Sequence, residues 1–332
     1  MPIGSHIIPR FYLEQFSTPS GRKNSPGRIW VYERGRQPHQ RATSVQGREN
    51  GYFGYRRRDG SLDESLEVKL ASLETECADT LTCGRSDLFD WSLTGHRNRL
   101  ASYAALLFSR ATQRREMSDK NWSSIQERFA AAINDDSYIN DLAKHYGARL
   151  NRPVAATQIR EDLKRIAGKM NTGSGHKNIF LQDLLTNTRL IQNMLIEKPW
   201  QLWKTSPECE FVTSDNPLVT FLRLPNGELH PGYGFRVEGV VAAFPLAPDA
   251  CMGMGVHGPE SVVLREDIVM KINEIIVRLC ARFVYSRTRS DHVNELVQGQ
   301  AGAAKYGVSA FLNTRQNKIN VQDFMRKRLG ID

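Results

Sequence analysis

Between Leu62 and about Lys198 the apolar residues recur at three- and four-residue spacing, and on either side of that stretch they do not. Leu66, Leu70, Leu73 and Cys77 form one such stripe. Leu100, Tyr103, Ala104, Leu107 and Phe108 form another, in a helix predicted from about Gly95 to Arg115. Further helices are predicted over Asp119–Ile133, Ile139–Tyr146, Thr157–Ala167 and Asn178–Ile196, with the Gly168–Gly175 segment as a break. The flanks read as strands: Arg28–Glu33 and Arg41–Val45 before the block, and Trp200–Lys204, Glu210–Thr213, Leu218–Leu222, Val237–Phe244, Ala250–Gly255 and Phe283–Tyr285 after it. One amphipathic helix, Asp267–Leu279, interrupts the later set. A pair of strands alone in the first sixty or so residues would be only marginally stable. The Ile29–Tyr32 strand is therefore expected to dock against the later strands. This is an α+β class, a helical block of about 62–198 inserted between sheet-forming regions of about 5–60 and 199–300, in a single intertwined domain over 1–332.

Charge narrows the partners. Lys and Arg number 45 against 36 Asp and Glu, a net charge of +9, with clusters at Arg56-Arg57-Arg58, Arg114-Arg115 and Arg326-Lys327-Arg328. Such a balance suits nucleic acid or a nucleotide, or a solvated basic face with no specific partner. No apolar run approaches the roughly 20 residues that span a bilayer, and Met1–His6 has no basic stretch leading into an apolar one. A cytoplasmic protein that does not enter a membrane is expected, with a homo-oligomer left open. The five cysteines are scattered without C-x2-C spacing, which fits free thiols in a reducing compartment.

Two segments carry candidate chemistry. In His6-Ile-Ile-Pro-Arg10-Phe-Tyr12-Leu13-Glu-Gln-Phe16, a histidine precedes a proline-started helix, where the positive helix end favours neutral imidazole and Arg10 could hold an anion. In Phe211-Val-Thr213-Ser214-Asp215-Asn216-Pro217, a strand runs into a turn that places a carboxylate and an amide at its end. Each has a plainer reading: a capped helix with a surface arginine, and an Asx-turn begun by Asn-Pro. Glu67-Val-Lys69 with Asp63 spells part of a metal-nuclease site but lies in a helical pattern, and Arg287-x4-His292 crosses a strand-to-helix junction. No phosphate-binding G-x4-G-K-[ST] loop occurs, and Trp91, Trp122, Trp200 and Trp203 read as packing residues.

Together, H-x-x-P-R-x-Y-L-x-x-F, the Ile-Trp-Val-Tyr-Glu strand and Phe-Val-Thr-Ser-Asp-Asn-Pro resemble the bacterial family known as domain of unknown function 4238. The resemblance extends over Leu66-Glu67, Leu73-Glu74, Arg110, Phe244-Pro245-Leu246, Asn273 and Arg282, and departs at Gly51 before Tyr52. It implies that His6, Arg10, Tyr12, Asp215 and Asn216 share one site, without implying a reaction. The expected function is a phosphodiester-cleaving enzyme, a ribonuclease or deoxyribonuclease serving in defence or as a toxin. His6, Asp215 and Asn216 would be catalytic, with His6 and Asp215 able to hold Mg²⁺ or Mn²⁺; Arg10, Tyr12, Arg110 and Ser214 would bind phosphate. Two alternatives stand beside it: a non-catalytic nucleotide- or nucleic-acid-binding module, and a purely structural role in which His6 and Asp215 lock the N-terminus onto the later sheet.

Overall fold

The computed structural model describes residues 4–19, 25–50, 52–57, 59–83, 94–170 and 175–306. Arg58, Trp91 and the Arg326-Lys327-Arg328 cluster lie outside these residues, as do residues 171–174 of the expected break. The first region holds β1 (Gly4–His6), α1 (Arg10–Gln15), β2 (Arg28–Glu33), β3 (His39–Ala42), β4 (Arg48–Asn50), β5 (Tyr55–Arg56) and β6 (Leu62–Asp63). Six helices follow: α2 (Ser65–Cys83), α3 (Thr94–Arg110), α4 (Thr112–Asn134), α5 (Asp136–Leu150), α6 (Ala156–Met170) and α7 (Gly175–Ile196). The last region comprises β7 (Trp200–Lys204), β8 (Thr213–Ser214), β9 (Val219–Arg223), β10 (Leu229–Pro231), β11 (Val240–Ala247), β12 (Ala250–Met254), β13 (Ser261–Val263), α8 (Glu266–Leu279), β14 (Phe283–Ser286) and α9 (Asp291–Gln300). The class is α+β, with the helical block between two strand regions. Among the described residues no helix is long and apolar enough to cross a membrane.

The early and late strands do share a sheet. In the order β3-β2-β14-β8, strand β2 runs antiparallel to β14, with Tyr32 opposite Val284 and Trp30 opposite Ser286. A six-stranded mixed sheet, β10-β9-β11-β12-β7-β13, is antiparallel except where β13 runs parallel to β7. Strands β11 and β12 are buried along their whole lengths, which explains why they read as continuous apolar runs instead of alternating ones. Gly253 in β12 is required there, since a Cβ would lie 2.1 Å from the Trp203 ring. One hydrophobic core runs from Ile8 and Tyr12 through α3 to Phe244, Ile276 and Tyr306. A smaller core, built on Trp122, Phe129, Ile139 and Leu163, holds α4, α5 and α6 together.

Several boundaries differ from the sequence reading, each for a local reason. The helix expected to reach Arg115 stops at Arg110, because Ala111 is extended (ψ 143°) and the Arg114 and Arg115 amides restart the ladder on its carbonyl. The strand expected at Arg41–Val45 lies at His39–Ala42, its register set by pairing with β2. Residues 210–212 do not enter the β8 ladder: the Val212 amide donates to Asn273 Oδ1, and Asn273 Nδ2 donates to the Glu210 carbonyl. Strand β11 begins at Val240 rather than Val237, after a turn closed by Gly239 at φ 73°.

Candidate functional site

Two sets of buried polar residues emerge, and the expected site residues divide between them. The first is the Ser214-Asp215-Asn216 turn. Strand β8 pairs with β14, and the chain then turns back under the C-terminal end of α8. Asp215 is buried, and both its oxygens are occupied: Oδ1 accepts from the Ala281 amide at 2.8 Å, and Oδ2 from the Arg282 and Phe283 amides at 2.7 and 2.9 Å. Burial nonetheless dominates and holds its carboxyl up at about 6, against three amides that pull it down. Asn216 donates from Nδ2 to the Leu279 carbonyl, and Ser214 Oγ donates to the Asn216 carbonyl while accepting from its amide. These residues clamp the α8–β14 connection. Any catalytic or metal-ligand role of Asp215 has to be met with both its oxygens already accepting from backbone amides, and Ser214 and Asn216 lie in the same hydrogen-bonded turn.

Two more expected residues also belong to the framework. The Tyr12 hydroxyl donates to the Pro245 carbonyl at 2.7 Å and lies 2.8 Å from Thr213 Oγ1, pinning α1 to β11 and β8 across 201 residues of sequence. Its ring stacks on Phe244 with centroids 5.6 Å apart. Arg10 is about half exposed and pairs with Glu14 one turn along α1. The N-terminal segment thus lies against the strand that carries Thr213.

The second set is built around Arg110. Its side chain has no exposed surface at all, although it is a cation at the end of a helix. Nη1 donates to Glu74 of α2, while Nε and Nη2 have no hydrogen-bond partner among the described residues. The Tyr103 hydroxyl, two turns earlier on α3 and also buried, is unpartnered as well. The Arg110 and Glu74 charges both act on that phenol, whose pKa burial pushes well above the usual value. A buried ionic group with unmet donors is rare and costs several kcal/mol unless something completes it.

His6 feels the Glu74 and Arg110 charges. Strand β1 pairs with β4 so that His6 is opposite Arg48, and its Nε2 lies 3.4 Å from the Ser44 carbonyl. A carbonyl only accepts, so the neutral ring carries its proton on Nε2 and leaves a lone pair on Nδ1. Burial lowers the pKa of the ring below 6.5; the Ser44 hydrogen bond and Glu74 oppose this, and the Arg48 and Arg110 charges reinforce it. Arg48 itself is exposed. Exposure differs among these residues: Arg48 is exposed, His6 half-buried, and Arg110 and Tyr103 buried. Among the described residues no group of three or more His, Cys, Asp or Glu is placed to hold a metal.

The sequence reading had His6 and Arg110 but missed Glu74, Tyr103 and Arg48 as their neighbours. The signal for Glu74 was present: it falls on the stripe Leu70, Cys77, Leu81 that α2 buries, and a lone carboxylate there calls for a buried cation. A family model described as "Protein of unknown function (DUF4238)" matches residues 5–290, which include both sets of residues. No curated protein and no solved structure matches the chain.

Proposed function

We propose that this chain, which belongs to the DUF4238 family, binds a phosphate-bearing ligand of the nucleotide or nucleic-acid class through Arg110. One observation carries the reading: a fully buried guanidinium has its Nε and Nη2 donors unpaired, and that edge suits two oxygens of an oxyanion. The net charge of +9 and the exposed Arg48 favour the approach of such a ligand. The free cysteines among the described residues fit a cytoplasmic setting. Isothermal titration of mononucleotides, RNA and DNA oligonucleotides and inorganic phosphate against the wild-type chain and Arg110→Met tests it. Saturable binding that falls at least about tenfold in the variant is expected from the loss of charge-assisted hydrogen bonds. A wild-type chain that binds none of these ligands refutes the proposal.

A second reading, cleavage of phosphodiesters, is favoured by the neutral His6 ring, which feels the Arg110 charge. His6 Nδ1 would take the proton of the attacking hydroxyl or water while Arg110 offsets the charge gathering on the phosphate. A site joining His6 to Asp215 through a metal no longer supports this reading, because Asp215 is committed to three amides. Digestion of mixed RNA and DNA with Mg²⁺, with Mn²⁺ and with chelator, using His6→Gln as control, decides it. Equal turnover by wild type and variant removes His6 from any reaction.

A further inference from the structure

We infer that the open end of the β3-β2-β14-β8 sheet, centred on Trp30, is a surface that receives single-stranded nucleic acid, and that it works without Arg110. Residues opposite each other in antiparallel strands share a face. Arg28 is opposite Ala42, and Trp30 is opposite Gln40 on one side and Ser286 on the other. The alternate residues of β2, Ile29 and Val31, are 0% and 1% exposed and belong to the core, so Arg28, Trp30 and Gln40 stand on the outer face. Contacts join these side chains into one row. Arg28 Nε donates to Gln40 Oε1 at 3.4 Å, and the Arg289 guanidinium lies 5.9 Å from the centre of the Trp30 ring. Further along β2 the same face closes: Tyr32 is buried, and its hydroxyl donates to the Thr288 carbonyl and accepts from the Ser290 amide.

Two observations name the occupant. Trp30 is only partly buried, and its indole N–H has no partner among the described residues. Trp200 and Trp203, in the core, donate theirs to the Leu195 carbonyl and to Gln201 Oε1. A half-open indole on a sheet face suits a stacked base. The charge around it is also left over. Residues 28–42 carry four arginines and one glutamate. Glu33 pairs with Arg36 and Arg282, while Arg28, Arg34 and Arg41 make no ion pair among the described residues. Arg289 meets Asp291 at 3.5 Å with both side chains exposed, a pair that water weakens. A single strand answers both features, with phosphates for the arginines and an unstacked base for the ring. A duplex keeps its bases stacked inside, and an acidic polypeptide answers the charge but brings no base.

Fluorescence anisotropy of a labelled single strand of about 12 nucleotides, within the span of one single-strand site, tests this over a range of salt. Binding is expected, with the logarithm of affinity falling linearly against that of salt. Each phosphate contact contributes about 0.7 to that slope, so the double variant Arg28→Gln, Arg289→Gln should lower it by about 1.4. Both side chains are exposed, so this variant is expected to fold. Trp30→Leu should weaken binding by about tenfold at every salt concentration, the weight of one stacked base. A duplex of the same sequence should bind less tightly than the single strand. Arg152→Gln, which removes an exposed arginine between α5 and α6, should leave the slope unchanged. An unaltered slope in the double variant overturns the inference, as does a wild-type chain that binds no strand. Competition by polyglutamate equal to that by unlabelled strand, with Trp30→Leu binding as tightly as wild type, overturns it in favour of an acidic protein partner. Should Trp30→Leu fail to fold, the slopes of the double variant and Arg152→Gln decide. Mononucleotides test Arg110 separately, and their failure to bind leaves this surface standing.

Discussion

Asp215 and Arg110 are both charges withdrawn from water, and the fold treats them in opposite ways. Asp215 has three backbone amides on its two oxygens, contributed by a single tight connection after α8. Arg110 has one carboxylate on one nitrogen and two donors with no partner among the described residues. The amides around Asp215 are fixed by the chain path, so they can stabilise a carboxylate but leave it nothing to do. Arg110 is held by a side chain from another helix and keeps part of its bonding capacity in reserve. A buried charge with its hydrogen bonds filled is a lock that can only hold the fold together, whereas one with donors open calls for an explanation, and the proposal above supplies one. The sequence motif centred on Asp215 is the more conspicuous of the two, and it marks the lock.

The largest effect follows from breaking the lock. Asp215→Ala strips the acceptor from three amides next to a buried turn, and a loss of about 3–5 kcal/mol is expected from uncompensated buried partners. Urea denaturation monitored by circular dichroism reads it. Binding to phosphate ligands should be unchanged in whatever fraction remains folded. An intrinsic loss of affinity in the folded fraction would bring Asp215 back into the site and dissolve the contrast.

Arg110→Met makes the opposite cut. Removing a buried cation with two open donors is expected to change stability by less than about 1 kcal/mol, because the desolvation cost goes with it and Glu74, 21% exposed, can turn to water. Affinity for the phosphate ligand should fall by about a hundredfold, the weight of two charge-assisted hydrogen bonds. Calorimetry and thermal melting on the same preparation check both halves. A destabilisation as large as that of Asp215→Ala, with affinity unmoved, would make Arg110 a second lock.

Tyr12→Phe is the intermediate case, a framework hydroxyl at the junction of α1 with both sheets. The Pro245 carbonyl and Thr213 lose a partner in a buried place, for a loss of about 1–3 kcal/mol and no change in affinity. A drop in affinity without a drop in melting temperature would count against the assignment of Tyr12 to packing.

Much of the architecture is legible in the chain itself. Strands β2 and β7 appear where their β-branched and aromatic residues put them, and the docking of β2 onto β14 follows from the poverty of an isolated N-terminal pair. The break between α3 and α4 is not legible, because no Pro or Gly marks Ala111 and the helical spacing continues through Arg115. Strands β1 and β4 are three residues each and carry almost no pattern, yet their pairing is what sets His6 beside Arg48. The site divides in the same way. Arg110 was visible as a lone charge closing the apolar run from Tyr103, and Glu74 as a lone charge on the stripe of α2. What no spacing shows is that these two helices place the charges against each other, and that the Asp215 side chain turns toward amides 66–68 residues onward.

The smallest effect separates the two regions by pH. Asp215 in the fold titrates at about 6 against an ordinary 3.8, so between those values the folded chain holds a proton that the unfolded chain has released. Its contribution to stability is therefore greatest at low pH and is lost as pH rises through about 6. His6 is shifted the other way. Burial, with Arg48 and Arg110, lowers its pKa below 6.5 against the pull of Glu74 and Ser44, so the unfolded imidazole takes a proton first and stability falls as pH drops below 6.5. His6→Gln keeps a donor for the Ser44 carbonyl and removes the titration. Urea midpoints measured for both chains from pH 5 to pH 8 should leave a difference that is flat at the alkaline end. The difference should then grow in favour of the variant as the acid end is approached, with the Asp215 contribution cancelling because both chains carry it. A difference that stays constant across the range would mean that burial, with the Arg48 and Arg110 charges, does not depress His6, and would remove the basis for a neutral base there.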